Sequence, residues 1–190
     1  MAILLASASP RRSELLTQIG CDFRIVPSDA IEDNTQRIPP AQLAVSHAKA
    51  KALASRTEAD TDNNIIIGAD TIVVLNGEVF GKPQDAADAR RMLKSLSGRE
   101  HEVITGVAVV TRDRVLTDYT ATSVRMAVMS TEEIESYIAT GEPMDKAGAY
   151  AIQGIGALFV EGIDGCYSNV VGLPLRMLAK LLRQVGVKLP

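Results

Sequence analysis

The alternation of apolar patterns along this chain predicts an α/β fold: one long, strongly curved mixed sheet flanked by helices. Three observations carry that prediction. Strand-like and helix-like stretches interleave from end to end rather than separating into halves. Ile65-Ile66-Ile67 is apolar at consecutive positions, as expected of a strand buried on both faces. Residues 102–111 and 115–128 are rich in valine and threonine and are joined by a turn near Asp113. The same mixture admits an α+β class. A length of 190 residues suits a single domain over 1–190, or two small lobes around a cleft.

Each element has a local reason. Residues 2–6 form an apolar run that lacks a basic leader and meets Arg11 and Arg12 at once, so it reads as a buried strand, not a secretion signal. Ser9 can cap a helix, Pro10 suits its first position, and Leu15, Leu16 and Ile19 give it an apolar face until Gly20 stops it. A strand is expected at 23–26, then an aperiodic polar stretch from Asp29 to Arg37. From Pro39 an alanine-rich helix carries Leu43, Ala44, Ala48, Ala50, Leu53 and Ala54. Gly68 is expected to break the triple-isoleucine strand, and a separate strand at 72–75 runs into the hairpin signal Asn76-Gly77. Asp85 caps a helix through Leu96, which Ser97-Gly98 ends. Ser130 with Glu133 matches a capping box for a helix ending at Gly141. Glycines 148, 154, 156, 162, 165 and 172 predict loops and short strands, and a final amphipathic helix spans Pro174 to Gly186.

Composition excludes several functions. A net charge of -3 argues against broad electrostatic binding to nucleic acid, so any anion site must be a local basic cluster. No run approaches the roughly 18 apolar residues of a membrane span. Cys21 and Cys166 are far apart and outside any metal-ligand spacing, which suits reduced thiols and a cytoplasmic location. His47 and His101 are isolated in sequence, so neither a zinc site nor a histidine-centred triad is expected. Dinucleotide and Walker-type glycine loops are missing.

Five segments could carry chemistry. Ser7-Ala8-Ser9-Pro10-Arg11-Arg12 lies between a strand and a helix, where free N–H groups, hydroxyls and guanidinium forks attract phosphate. It also fits a capped surface helix with two solvated arginines. Gly68-Ala69-Asp70-Thr71 ends an apolar strand, where a carboxylate can hold a divalent metal or take a proton from water, or simply form a turn. Lys82, in Gly81-Lys82-Pro83, and the helical pair Lys49 and Lys51 can reach a phosphate or stay solvated. Asp29, Glu32 and Asp33 can help Asp70 hold Mg²⁺, or merely keep a loop soluble. In the run from Glu142 to Gly154, Gln153 can read a base edge through its amide, while Tyr150 fits either the site or the core.

Their order says more than any one of them. Leu5-Ala6-Ser7-Ala8-Ser9-Pro10-Arg11-Arg12, Gly68-Ala69-Asp70-Thr71, Gly81-Lys82-Pro83, Ser97-Gly98-Arg99, Asp145-Lys146-Ala147-Gly148-Ala149-Tyr150 and Val171-Gly172-Leu173-Pro174 together resemble the Maf family over nearly the whole chain. The resemblance implies a nucleoside triphosphate pyrophosphatase that hydrolyses the bond between the α and β phosphates. It implies a deep central cleft in a bent mixed sheet, as in inosine triphosphate pyrophosphatases. It also implies a divalent cation (Mg²⁺, Mn²⁺ or Co²⁺), a cytoplasmic location and a homodimer. The run ending Ile152-Gln153-Gly154 is similar to the branch acting on dTTP and UTP. A nucleotide-binding regulator of septum formation, with little turnover, is the alternative.

Carried over by resemblance, Asp70 is the proton acceptor, and Arg11, Thr71 and Gln153 bear on substrate choice. Ser7, Arg12, Lys51 and Lys82 match polar groups of the phosphate cleft. The family's acidic loop often reads Ile-(Asp/Glu)-Glu, whereas this chain has Ile31-Glu32-Asp33. The metal-side carboxylate therefore falls on Asp33, or on Glu32 if the register shifts.

Overall fold

A computed structural model describes residues 2–33, 35–56 and 64–189. The chain opens with β1 (Ile3–Leu5), α1 (Pro10–Gln18), the two-residue β2 (Arg24–Ile25) and α2 (Pro40–Ala54). β3 (Ile65–Leu75) turns at Asn76-Gly77 into β4 (Glu78–Phe80), and both turn residues take positive φ, as this hairpin turn requires. Next come α3 (Ala86–Leu96), β5 (Glu100–Val110), β6 (Val115–Met126) and α4 (Thr131–Ala139). Short 3-10 turns at Glu142–Asp145, Ala147–Ala149 and Gly154–Phe159 lead to β7 (Val160–Asp164), α5 (Tyr167–Val171) and α6 (Leu175–Gln184). One mixed sheet holds all these strands in the order β2-β1-β3-β5-β6-β7, with β4 also on β3. β1 runs parallel to β2 and β3, and every other pairing is antiparallel.

The expected α/β sheet is present, and the caps at Asp85 and at Ser130 with Glu133 form as anticipated. Four local expectations need correction. Ser9 occupies the cap position of α1, but its side chain makes no cap bond; Ser7 Oγ accepts the Ser9 N–H instead. The strand expected at 23–26 shrinks to Arg24–Ile25, both exposed. The 142–172 segment holds α5 and 3-10 turns besides its strand.

The fourth correction is the most informative. Gly68 does not break a strand, because β3 runs unbroken through it. A Cβ at Gly68 would sit 2.1 Å from the Ala48 carbonyl oxygen of α2, and one at Gly106 of β5 would meet Ala44 at 2.4 Å. Glycine is there to let α2 lie almost on the sheet.

Strand alternation divides β3 between two faces. Ile66, Ile72 and Val74 pack toward α2 together with Ala44, Ala48 and Ala52. Ile65, Ile67 and Ala69 join a core with α1 and α6, whereas Val73 and Leu75 join a second core with α3 and α4. Thr71 falls between those two cores. A cleft opens there.

Candidate active site

Strand pairing explains where the cleft lies. One edge of β3 pairs with β5 from Ile66 to Val74. The other edge pairs with β1 only at Ile65–Ile67 and with β4 only at Val73–Leu75. Among the described residues, 68–72 therefore face no neighbouring strand on that side, and Asp70 and Thr71 sit in the gap. The cavity there measures about 320 Å³, within the usual range for a small-molecule site.

Asp70 points to the α2 face and is 3% exposed. The close approach of α2 brings two of its side chains, one turn apart, to this carboxylate. His47 Nδ1 lies 3.1 Å from Asp70 Oδ2, and Lys51 Nζ donates to Asp70 Oδ1 at 2.6 Å. The Lys51 ammonium also donates to Glu32 Oε1 at 2.5 Å, so one cation bridges two carboxylates. Burial alone would push the Asp70 carboxyl up, but His47, Lys51 and Arg12 together hold it below the ordinary aspartate range. Its hydrogen bond to Asp70 raises the His47 pKa, against the opposing effect of burial.

Thr71 points the opposite way, toward the N terminus of α1. There the Arg12 fork is fully engaged: Nε donates to the Gly172 carbonyl at 2.8 Å, one terminal nitrogen to Ser7 Oγ at 3.0 Å, and the other to Thr71 Oγ1 at 3.1 Å. Thr71 Oγ1 lies 2.9 Å from Thr105 Oγ1, which itself donates to the Asn169 carbonyl. Arg12 is buried, and burial lowers its pKa, while Asp70 and Glu32 draw it back up. This arginine is a strut that ties α1, β3 and the Gly172 turn together, and the solvated-arginine reading fails for it.

The remaining walls are looser. Arg11 makes one ion pair across the cleft, to Asp145 Oδ2 at 3.2 Å. Lys82 is exposed at the rim, and Gln153 lines the cleft with an amide that bonds nothing among the described residues. Tyr150 also lines the cleft, but its hydroxyl is satisfied internally at 2.7 Å from His101 Nε2.

The structure thus gathers Ser7, Arg11, Arg12, Glu32, Lys51, Asp70, Thr71, Lys82 and Gln153 around one cavity. Asp33 stands apart from it: its Oδ1 accepts the N–H and hydroxyl of Thr35. Lys49 is exposed on α2. Among the described residues no three His, Cys, Asp or Glu side chains form a metal cluster; the carboxylates lining the cavity are Glu32, Asp70 and, on the far wall, Asp145. Sequence reasoning missed His47. Its spacing of one helical turn from Lys51 was the usable signal, because both must then face the strand that carries Asp70.

Residues 2–185 match the family model described as Maf-like protein. The chain belongs to the Maf family. Its relatives within the family are similar over nearly their whole length. A dTTP/UTP pyrophosphatase of Dictyoglomus turgidum is 52% identical over 98% of this chain and 97% of its own. One of Gloeobacter violaceus is 51% identical over 96% and 95%. Another, of Clostridium botulinum strain 657, is 47% identical over 98% of each. The unpaired stretch along one edge of β3 is where this Maf protein gathers those polar groups. No helix among the described residues is long and apolar enough to cross a membrane.

Proposed function

We propose that this chain is a nucleoside triphosphate pyrophosphatase that cleaves dTTP and UTP between the α and β phosphates, releasing the monophosphate and pyrophosphate. The observation that carries the reading is one cleft holding three kinds of group: an ionised buried carboxylate at Asp70, cations with spare donors at Arg11 and Lys82, and an unbonded amide at Gln153. The near-full-length relatives named dTTP/UTP pyrophosphatase support it.

In this reading the phosphate chain lies across the N terminus of α1, where backbone N–H groups and the helix dipole favour anions. Arg11 and Lys82 neutralise it, and Arg12 holds Ser7 and Thr71 in place beneath it. Asp70 orients the attacking water and accepts its proton at the carboxylate. Because its pKa is held low, Asp70 is a weak base, so charge stabilisation of the phosphates supplies most of the rate. Gln153 pairs with the O4 and N3–H edge that uracil and thymine share, since an amide offers both acceptor and donor.

A divalent cation fits the residues present. Glu32 and Asp70 offer hard carboxylate oxygens and already share one positive charge, the Lys51 ammonium. Mg²⁺ needs only one or two carboxylates beside substrate phosphates. When bound, such an ion neutralises phosphate charge and makes water more acidic.

A panel of nucleotides, scored for pyrophosphate release with Mg²⁺, Mn²⁺ and Co²⁺, tests the reading. dTTP and UTP should rank first. Asp70→Asn should still bind nucleotide but lose about 10²- to 10⁴-fold in kcat. A panel led by GTP would refute the pyrimidine preference, and near-normal turnover by Asp70→Asn would remove that residue from the chemistry.

A further inference from the structure

The Gln153 side chain has no bond among the described residues, yet the loop that carries it is tightly held. On its C-terminal side, the Ile155 N–H donates to Glu142 Oε2 at 3.0 Å and the Gly156 N–H to Glu142 Oε1 at 2.9 Å. On its N-terminal side, the Ala151 N–H reaches Tyr137 Oη at 3.3 Å, and that hydroxyl donates to Glu142 Oε1 at 2.8 Å. Both ends of the loop therefore converge on one carboxylate.

The glycines around Gln153 belong to the same arrangement. Gly154 has φ +65°, and a Cβ there would come 2.5 Å from Glu142 Oε2. A Cβ at Gly156 would lie 2.4 Å from the Ala151 carbonyl oxygen and 2.5 Å from the Tyr137 hydroxyl. The loop closes on itself over the carboxylate, with Gln153 between its two anchored ends. Tyr137 is 1% exposed and Glu142 half-buried, so water competes poorly for these bonds.

We infer that Glu142 is a positioning residue for base selection: its carboxylate clasps the 151–156 loop and so sets where the Gln153 amide meets the base. This rests on the reading of Gln153 as the base-selecting group. Glu142 does not line the cleft and bonds neither Asp70 nor Arg12, and its contact with the cleft-lining Lys146 is made through its backbone carbonyl, so the effect of its carboxylate should fall on base recognition and leave the chemical step alone. A carboxylate suits the task because it accepts all three donors at once. A glutamine there would turn one donor toward another.

The test compares UTP and dTTP with CTP and dCTP in the whole enzyme. Glu142→Ala should raise KM for UTP and dTTP about tenfold and cut their preference over the cytosine nucleotides by a similar factor, with kcat within about threefold. Glu142→Gln, which keeps the shape, should show the same pattern at smaller size and serves if the alanine variant folds poorly. In a Gln153→Ala background, Glu142→Gln should cost nothing further. An unchanged preference in both Glu142 variants, a loss in kcat alone, or additive losses in the double variant would overturn the clasp. Gln153→Ala with unchanged preference would instead overturn the base-selection reading itself, so the two failures are distinct.

Discussion

The two sides of the cleft are built on different plans. On the Arg12 side the guanidinium is committed before any ligand arrives: three of its donors hold a hydroxyl, a second hydroxyl and a carbonyl. Elsewhere on the cleft wall the ligand-facing groups are looser: Lys82 and Gln153 have no side-chain bond among the described residues, and Arg11 has a single ion pair to Asp145. The first side spends its hydrogen bonds on shape, which suits a triphosphate common to all substrates. The second keeps donors and acceptors open for the ligand to meet: in the proposed reading Arg11 and Lys82 take up phosphate charge and Gln153 meets the base. Preorganisation belongs where the ligand never varies.

Arg12 gives that comparison its hardest test. Arg12→Met should destabilise the fold by roughly 2–4 kcal/mol, because it strips charged hydrogen bonds from buried partners, and it should lower the unfolding midpoint in urea. Arg12→Lys should recover only part of the loss, since a point charge cannot reproduce a planar fork with three partners. Arg11→Met should leave stability nearly unchanged and raise KM. A lysine variant as stable and active as the parent would show that charge alone, without the fork, organises this side.

How much of this could be seen in sequence also divides along the chain. The caps at Asp85 and Ser130 and the Asn76-Gly77 turn were legible, because their physics is confined to four or five neighbouring residues. Gly68 was not. Its reason is the carbonyl of Ala48 on a helix that packs across the strand, and a one-dimensional pattern cannot separate that from a strand break. His47 was passed over for the same cause: isolated in sequence, it gains its role only when α2 descends onto β3. The polar groups around the cleft were found by the order of their motifs, but the pattern could not tell a strut from a free hand. Arg11 and Arg12 are adjacent and identical, and only the helix rotation of about 100° between them sends one to the interior and the other across the cleft.

Besides the Glu142 clasp, the looser side contains a buried pair, His101 under Tyr150. Burial pushes the His101 pKa down to about 4, and its Nδ1 has no hydrogen-bond partner among the described residues. Between pH 6.5 and about 4 the unfolded chain binds a proton that the folded chain refuses. Its contribution to stability is therefore full above pH 6.5 and is lost as pH falls toward 4, by about 3 kcal/mol in all. His47, with its pKa raised, acts with the opposite sign: its contribution is full below pH 6.5 and fades as pH climbs through its folded value. Urea midpoints at pH 6.5 and 5.0 should fall apart in the parent and draw together in His101→Gln. An equal drop in both would mean that other groups govern the acid limb.

The smallest expected effect sits where the two sides touch. Arg11 and Asp145 bridge the cleft at 3.2 Å, with side chains 24% and 61% exposed, and Lys146 also pairs with that carboxylate. An ion pair so open to water is worth under about 1 kcal/mol, so Asp145→Asn should shift the unfolding midpoint only slightly. Its influence should appear in binding. A phosphate entering the cleft must draw Arg11 away from Asp145 and bring its own negative charge near that carboxylate, so Asp145→Asn should lower KM by about two- to fivefold at low salt, with the gain shrinking as salt screens the pair. A rise in KM would reverse the assignment, making Asp145 the hand that steadies Arg11, and would extend preorganisation from the Gln153 loop to the cations beside it.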